Sequence, residues 1–561
     1  MSRTIESRGI EMAENLADDG VGDHSSHARP LVVVQVEDSP SMDRVLESER
    51  EIIAGLESDS SVPELGLANS GQTCERRAKY DGGNQQAIFP ASFVRETSTV
   101  KPAASRKPDV LARSSVYALI IYVSGAGLTF LVQLLIARLL HAERYGIYSY
   151  VWAWVSLLSY GATLGFAGFV LRFTSSYRAS EQWSLMSGSI RFALKRSLAA
   201  ALTISTIGLL ILWLRSGQLQ PEFVVSMAIG LVTVPLVTLH LVGASIVRVF
   251  GGFIAAVIPE RVFRDALLLV IIGTAAWSAV SPFNVEAVLA ASLVSNAATL
   301  ALVAYAAFRR WPEQIKRIEP DYLPQGWWAF ALPVMIMLGL EILIMRCGVL
   351  VLGWRGAISD AGIFALGFNL AMLVQLSRAA VGIYFSPAAS ALHAHGDVAG
   401  LKSLFARATM LSLAGGAILG VPVLLLTRPL LRLFGHDFDS ATRVVQILVI
   451  GQFIVAAAGP QQTLLTMTGH ERSAAATMMV FTALTFAGCG IATIDHGAMG
   501  AAVATAATLA AWNLTMAIQI ERRLGMKPGL VLAITDFWAP RCGTEVIPQE
   551  GTPDPTTLNL S

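Results

Sequence analysis

From Val116 to Ile520 the chain is a near-unbroken series of apolar segments joined by short polar connections. None of those connections could hold a soluble catalytic domain. Crossing the hydrocarbon core of a bilayer takes roughly 20 apolar residues of helix, and most segments supply that. The spacing predicts twelve helices, at about 115–137, 147–170, 197–214, 223–247, 252–279, 284–308, 327–351, 361–386, 404–427, 441–468, 473–494 and 497–520. In the fifth, Glu260, Arg261, Arg264 and Asp265 interrupt the apolar run. An alternative starts that helix near Phe263 and leaves 248–262 at the interface. A mean hydropathy of +0.56 and a charged fraction of 14% describe a multi-pass membrane protein and not a soluble domain. The formal net charge is +1, so no global field points to nucleic acid. The work of the protein is expected inside the membrane, on something that crosses it.

The first 110 residues are different material. The first sixty hold fourteen acidic against five basic residues. Such a segment does not bury enough apolar surface to offset its ordering entropy and is expected to be disordered. Only Leu31–Val36 has strand character. No basic n-region precedes an apolar stretch, so the segment does not read as a secretory signal. It is either a cytoplasmic tail or an upstream extension of the gene, with Met12 and Met42 as internal starts. Arg outnumbers Lys 34 to 7, and with abundant Ala this suggests a GC-rich bacterial genome. Cys74, Cys347, Cys489 and Cys542 form no C-x-x-C pair and read as inert thiols. His393 and His395 read as a solvated loop, not a metal site. No Walker loop suggests ATP binding by this chain, and no cofactor is expected.

Basic residues set orientation. One side collects Arg172, Arg178, Arg191, Lys195, Arg196, Arg248, Arg309, Arg310, Lys402, Arg407, Arg522 and Arg523, among others. The other holds Arg138, Arg144, Arg215, Arg355, Arg428, Arg432 and Arg443. The richer side is expected to be cytoplasmic, with both termini inside, in agreement with an even helix count. A shift of 216 residues places Gly146-Ile147-Tyr148 on Gly362-Ile363-Phe364, Glu181 on Asp397 and Arg191 on Arg407. This predicts parallel six-helix repeats related by an axis along the membrane normal, an arrangement that puts substrate between the halves. The expected fold class is an all-α polytopic membrane protein of two six-helix bundles related by a pseudo-two-fold. The expected domains are a tail (1–110), an N-terminal bundle (111–310), a linker (311–326), a C-terminal bundle (327–527) and a tail (528–561).

Charges within the hydrocarbon cost about 2.5–3.5 kcal/mol each on insertion scales, so they are expected to face protein or water. The candidates are Glu260, Arg261, Arg264, Asp265, Glu341, Arg346 and Arg378. Glu260 and Arg264 are four apart, as are Arg261 and Asp265, so both pairs can meet along one helix. They read either as self-neutralising pairs or as an anion-binding and ion-coupling cluster. Pro259 just before them frees a carbonyl and invites a kink. Glu341 and Arg346 point about 140° apart on one helix and each needs a partner elsewhere. Arg378 lies deep in the eighth helix with no acid within a turn. It reads as facing a hydrated vestibule for an anionic substrate, or as pairing with an acid on another helix. Tyr148, Tyr150, Trp152 and Trp154 open the second helix and read as an interfacial belt, with sugar stacking as the lesser alternative. Pro235, Pro333, Pro422 and Pro460 fall within predicted helices as hinges or tolerated kinks.

An ordered series of motifs carries a family resemblance. It runs Ala137-Arg138-Leu139, Tyr145-Gly146-Ile147-Tyr148, Leu171-Arg172-Phe173 and Ile258-Pro259-Glu260-Arg261 with Arg264. It continues through Phe434-Gly435-His436-Asp437-Phe438, Gly459-Pro460-Gln461-Gln462 and Leu465 to Glu471, then Gly497 to Ala502. Over about 115–527 the chain resembles the oligosaccharide flippase (polysaccharide transporter) family of the multidrug/oligosaccharidyl-lipid/polysaccharide exporter superfamily. The resemblance implies a V-shaped fold of two bundles. It also implies passage of polyprenyl-diphosphate-linked oligosaccharide across the bacterial cytoplasmic membrane, coupled to an ion gradient, for surface polysaccharide such as exopolysaccharide or O-antigen. A cationic cavity for the diphosphate belongs to that picture, and depth and charge nominate Arg261, Arg264, Arg346 and Arg378 for it. Glu260, Asp265 and Glu341 are the ion-coupling candidates. Members often carry an Asp shortly before the glycine ending helix seven. Here Cys347-Gly348-Val349-Leu350-Val351-Leu352 precedes Gly353, and Glu341 stands several turns earlier. Expected partners are the lipid-linked substrate, membrane lipids, a polysaccharide polymerase and a chain-length regulator, but no nucleic acid. The rival readings are a small-molecule antiporter of the same superfamily, a membrane polymerase or ligase, which would carry a large outer loop, and a non-transporting scaffold.

Overall fold

The computed structural model describes residues 108–278, 284–316 and 318–527, with Gly529 and Val531, and side chains from Ile121 onward. The expected disorder of the first 110 residues, the strand at Leu31–Val36, and Cys74 and Cys542 lie outside the described residues. The regular structure of the described residues is helical, with no strand among them. The long helices are α1 (Pro108–Ala162), α2 (Trp183–Arg215) and α3 (Pro221–Val249). Next comes α4, made of Phe253–Ile258, a π turn Pro259–Phe263 and Arg264–Trp277, followed by α5 (Val285–Arg309). The second half holds α6 (Pro324–Trp354), α7 (Ile358–Ala394), α8 (Val398–Leu425) and the short α9 (Thr427–Phe434). It closes with α10 (Thr442–Ala458), α11 (Gln461–Met467) and α12 (Glu471–Leu524).

Nine helical stretches among the described residues are long and apolar enough to span a membrane. Two of them are hairpins. α1 breaks at His141 (φ 60°), and Tyr145 Oη donates to Gln133 Oε1 across the break at 3.0 Å, which a continuous helix twelve residues long would forbid. α12 breaks at Gly497 (φ 47°). With the interrupted α4, the twelve expected crossings are all present. α2 starts at Trp183, well before the expected 197, because its first turns form an amphipathic extension. Ser187–Ile190 and Phe192 are buried while Arg191, Lys195 and Arg196 are exposed. An apolar window detects only the spanning part of such a helix. Pro460, expected inside a helix, instead follows Gly459 at the break between α10 and α11.

The two halves meet where the second arm of α1 crosses the start of α7. A Cβ on Gly146 would lie 2.0 Å from the Ile358 carbonyl oxygen, and one on Gly362 would lie 2.5 Å from that of Ala142. Positions 142 and 358, and 146 and 362, are each related by the 216-residue offset of the repeat. Residue i of one half therefore touches residue j of the other, and j touches i, the reciprocity that a two-fold relation imposes on an interface. The expected pseudo-two-fold passes through this crossing. α6 links the halves along the molecule. Near its start, Trp327 is buried among Phe166, Phe169 and Phe192, and its Nε1 donates to Tyr177 Oη at 3.1 Å. Near its end, Cys347 and Val351 pack on Cys489 and Ala504 of α12.

Replacing helical Gly by Ala ordinarily stabilises by up to about 1 kcal/mol. At the crossing the sign reverses, because overpacking costs about 1–3 kcal/mol. Gly146→Ala and Gly362→Ala should each lower the unfolding temperature measured by size-exclusion after heating. Gly127→Ala, whose Cβ would meet nothing within 4 Å, should not. Equal shifts at all three positions would contradict the backbone contact.

Candidate functional site

The charged stretch of α4 winds as a π turn. Pro259 has no N–H to donate, and the Arg264 N–H reaches the Pro259 carbonyl, an i to i+5 bond. The extra residue rotates Glu260 and Arg261 by about 100° relative to Arg264 and Asp265. The intrahelical pairs Glu260–Arg264 and Arg261–Asp265 expected from the spacing are therefore not formed. Glu260 Oε2 instead lies 3.7 Å from Arg248 Nη2 on α3. Arg264 Nε donates to its neighbour Asp265 Oδ1 at 2.8 Å, and Thr129 of α1 donates to the other Asp265 oxygen. The Arg261 guanidinium lies 5.2 Å from the centre of the Tyr122 ring, a cation–π contact with the first arm of α1.

These groups line a cavity of about 1290 Å³ walled by α1, α3, α4, α5, α6 and α7. Arg346 enters it from α6 and Asn369 from α7. Among the described residues Arg346 has no ion pair and no side-chain hydrogen bond. Arg264 pairs with Asp265 and Glu260 lies nearest to Arg248, so among the described cations that line this cavity Arg261 and Arg346 have no carboxylate within 4 Å. Tyr148 and Trp152 stack in the same cavity, with centroids 6.5 Å apart and planes within 6°. The belt reading of the aromatic group is overturned. Tyr148 and Tyr150 are 4% and 8% exposed, because the second arm of α1 runs through the protein centre and both its faces meet other helices. Tyr150 and Trp154 pack edge to face on the side of Gly353. His240 on α3 also lines the cavity and has no partner for either ring nitrogen. A lone histidine does not register in a count of Asp, Glu, Lys and Arg, and reading the sequence for charge alone misses it.

The remaining nominated residues stand apart. Glu341 and Arg378 line a second cavity of about 680 Å³ in the C-terminal half, with Gln375, Gln452, Trp512 and Asn513. Neither forms an ion pair within 4 Å among the described residues. Gln375 Nε2 donates to Gln452 Oε1 at 3.0 Å there. A third space of about 910 Å³ shares Arg261 and Asn369 with the first cavity and Met372 and Gln375 with the second. The lining is therefore continuous from one half to the other, although the connecting space is walled mostly by apolar side chains. No group of three or more His, Cys, Asp and Glu suited to a metal occurs among the described residues.

At the His141 end this lining is capped. Phe130 and Phe434 meet edge to face at 5.7 Å, as do Tyr145 and Phe438 at 5.8 Å. Asn369 Nδ2 donates to Tyr145 Oη at 3.4 Å. Above them His141 Nδ1 and Asp437 Oδ2 are 2.9 Å apart, joining the first hairpin to the segment between α9 and α10.

The helical fold is shared with solved transporter structures. An inward-facing multidrug resistance MATE family transporter of the MOP superfamily superposes with a TM-score of 0.63 at 15% identity, over 74% of this chain and 99% of that one. Its outward-facing counterpart superposes at 0.54, also at 15% identity, over 74% and 95%. The lipid II flippase MurJ, inward closed, superposes at 0.51 and 12% identity, over 74% and 91%. Curated protein sequences give no match. Residues 111–391 match the polysaccharide biosynthesis protein family, and the chain belongs to it.

Asp265 is 5% accessible at its side chain against 26% for Arg264. Asp265→Ala should destabilise the protein by less than the roughly 3–5 kcal/mol of a fully buried broken pair, since Arg264 keeps contact with the cavity. The Arg264→Gln/Asp265→Asn double variant should recover most of that loss in a thermal unfolding assay. A double variant as unstable as the sum of the singles would mean that the two groups do not act as a pair.

Proposed function

We propose that this protein moves a lipid-linked oligosaccharide, carried on a polyprenyl diphosphate, across the cytoplasmic membrane by alternating access between its two halves. The observation that carries the reading is the juxtaposition of Arg261 and Arg346, without carboxylate partners, with the stacked pair Tyr148–Trp152 in one cavity. A guanidinium fork binds phosphate oxygens in bidentate fashion and keeps its charge at any working pH. A flat aromatic pair offers the apolar surface on which sugar rings lie. Membership of a polysaccharide biosynthesis family and a fold shared with the lipid II flippase support the same substrate class. Arg264 shapes the site through Asp265, and Arg378 with Glu341 offers a second contact further along the continuous lining.

The basic residues assign the His141 end to the outside. The packed cap at that end then corresponds to the state open to cytoplasmic substrate, with the His141–Asp437 contact as part of the closed outer gate. Glu260, Asp265 and Glu341 are the carboxylates placed to couple transport to an ion gradient, Glu260 through its loose contact with Arg248. A polysaccharide polymerase and a chain-length regulator would act on the delivered units.

The deciding experiment is a deletion strain, complemented by wild type or by Arg346→Gln, in which polyprenyl-diphosphate oligosaccharide is measured. The intermediate should build up in the deletion and be cleared by wild type. Loss of a charge-assisted contact worth about 1.5–3 kcal/mol should cut clearance by Arg346→Gln roughly tenfold or more. Unchanged lipid intermediates in the deletion strain would sink this reading and favour a small-molecule antiporter. A second test addresses the gate. Cysteines at His141 and Asp437 joined by a bifunctional thiol reagent should arrest transport, and reduction should restore it. Full transport in the cross-linked protein would show that this end does not open.

A further inference from the structure

At the His141 end, outside the central cavity, the C-terminal half carries a cleft of about 1560 Å³ whose cationic lining is Arg428 and Arg432 of α9 and Arg443 of α10. The sequence places seven basic residues at this end, and three of them converge here. All three are exposed, and none makes an ion pair or a side-chain hydrogen bond among the described residues. Asp439 also lines the cleft but has no guanidinium within 4 Å.

Local physics opposes this cluster. Arg428 and Arg432 are four apart on one short helix, so their like charges share a face. Arg428 and Arg443 each stand in the first turn of their helices, where the backbone dipole repels cations. This is also the end of the molecule that basic residues otherwise avoid. An anion with several oxygens would relieve all three conflicts at once, and the planar guanidinium fork matches phosphate geometry.

The setting of the cleft indicates what carries that phosphate. α9 is amphipathic: Leu431 and Phe434 are buried, whereas Leu433 is 49% exposed. The end of α8 and the residue that joins it to α9 expose Leu425 at 78% and Leu426 at 52%, and Leu425 lines the cleft with the arginines. Cationic heads beside exposed aliphatic side chains are the arrangement of a surface seated at headgroup level.

We infer that this cleft binds the phosphate headgroup of an anionic lipid in the leaflet at the His141 end. The site is independent of the transported substrate, and only the choice of leaflet depends on the orientation given above. The test uses the full-length protein in detergent and native mass spectrometry, titrated with dioleoyl phosphatidic acid, dioleoylglycerol or inorganic phosphate. Wild type should bind phosphatidic acid, and the Arg428→Gln/Arg432→Gln/Arg443→Gln variant should bind it about tenfold or more weakly. Arg215→Gln, a basic residue of the same end but outside the cleft, should bind as wild type does, and binding should weaken as salt rises. Undiminished binding in the triple variant overturns the site. Dioleoylglycerol binding as tightly as phosphatidic acid overturns the role of phosphate, and inorganic phosphate binding as tightly overturns the lipid as its source. Equal melting temperatures establish that the triple variant is folded. Should it not be, Arg432→Gln alone, with the same salt titration, takes its place.

Discussion

Everything about the cavity depends on the contact in which two helices touch backbone to backbone. At Gly146 and Gly362 there is no side chain to hold α1 and α7 apart, and each glycine lies against a carbonyl of the other half. Close approach at one level lets the aromatic cap form above the polar lining, from Phe130, Phe434, Tyr145 and Phe438. Away from the crossing the same helices carry Gln133, Asn369 and Gln375, which border open space instead of each other. Around the crossing, the cavity of Arg261 and Arg346 draws its walls from both halves, and that of Glu341 and Arg378 lies within the C-terminal half.

The second constraint is electrostatic. In a low-dielectric surrounding an unpaired charge is costly, and the protein distributes its charges unequally. Asp265 holds Arg264 and accepts from Thr129, which ties α4 to α1. Glu260 reaches Arg248 on α3 only at 3.7 Å. Arg261 and Arg346 have no such carboxylate and are tolerated because they face a cavity. The π turn at Pro259–Phe263 produces this asymmetry. A regular helix would have paired the four residues among themselves and left Arg346 as the one cation of the cavity lining without a carboxylate.

Much of this was legible in the chain. Twelve crossings, the repeat offset of 216 and the intramembrane charges follow from hydropathy and spacing, because lipid imposes helices and penalises charge wherever the segment lies. The polar groups of the site were less legible. His240 sits alone in an apolar helix, and Tyr148 and Trp152 look like an interfacial belt until the second arm of α1 is seen to run through the protein centre. The amphipathic start of α2 was missed because it lies beyond the apolar window.

By itself the sequence determined that this protein is helical, membrane-spanning, internally repeated and charged at a few intramembrane positions. Those properties depend on local backbone chemistry and on the solvent, both readable residue by residue. Only the tertiary structure decided which charges meet. It moved Glu260 from Arg264 to Arg248, separated Arg378 and Glu341 from the cavity of Arg261 and Arg346, and turned an aromatic stripe inward. Partners in space depend on a one-residue change of helical register and on which faces of distant helices a glycine contact brings together, and neither is encoded in spacing along the chain.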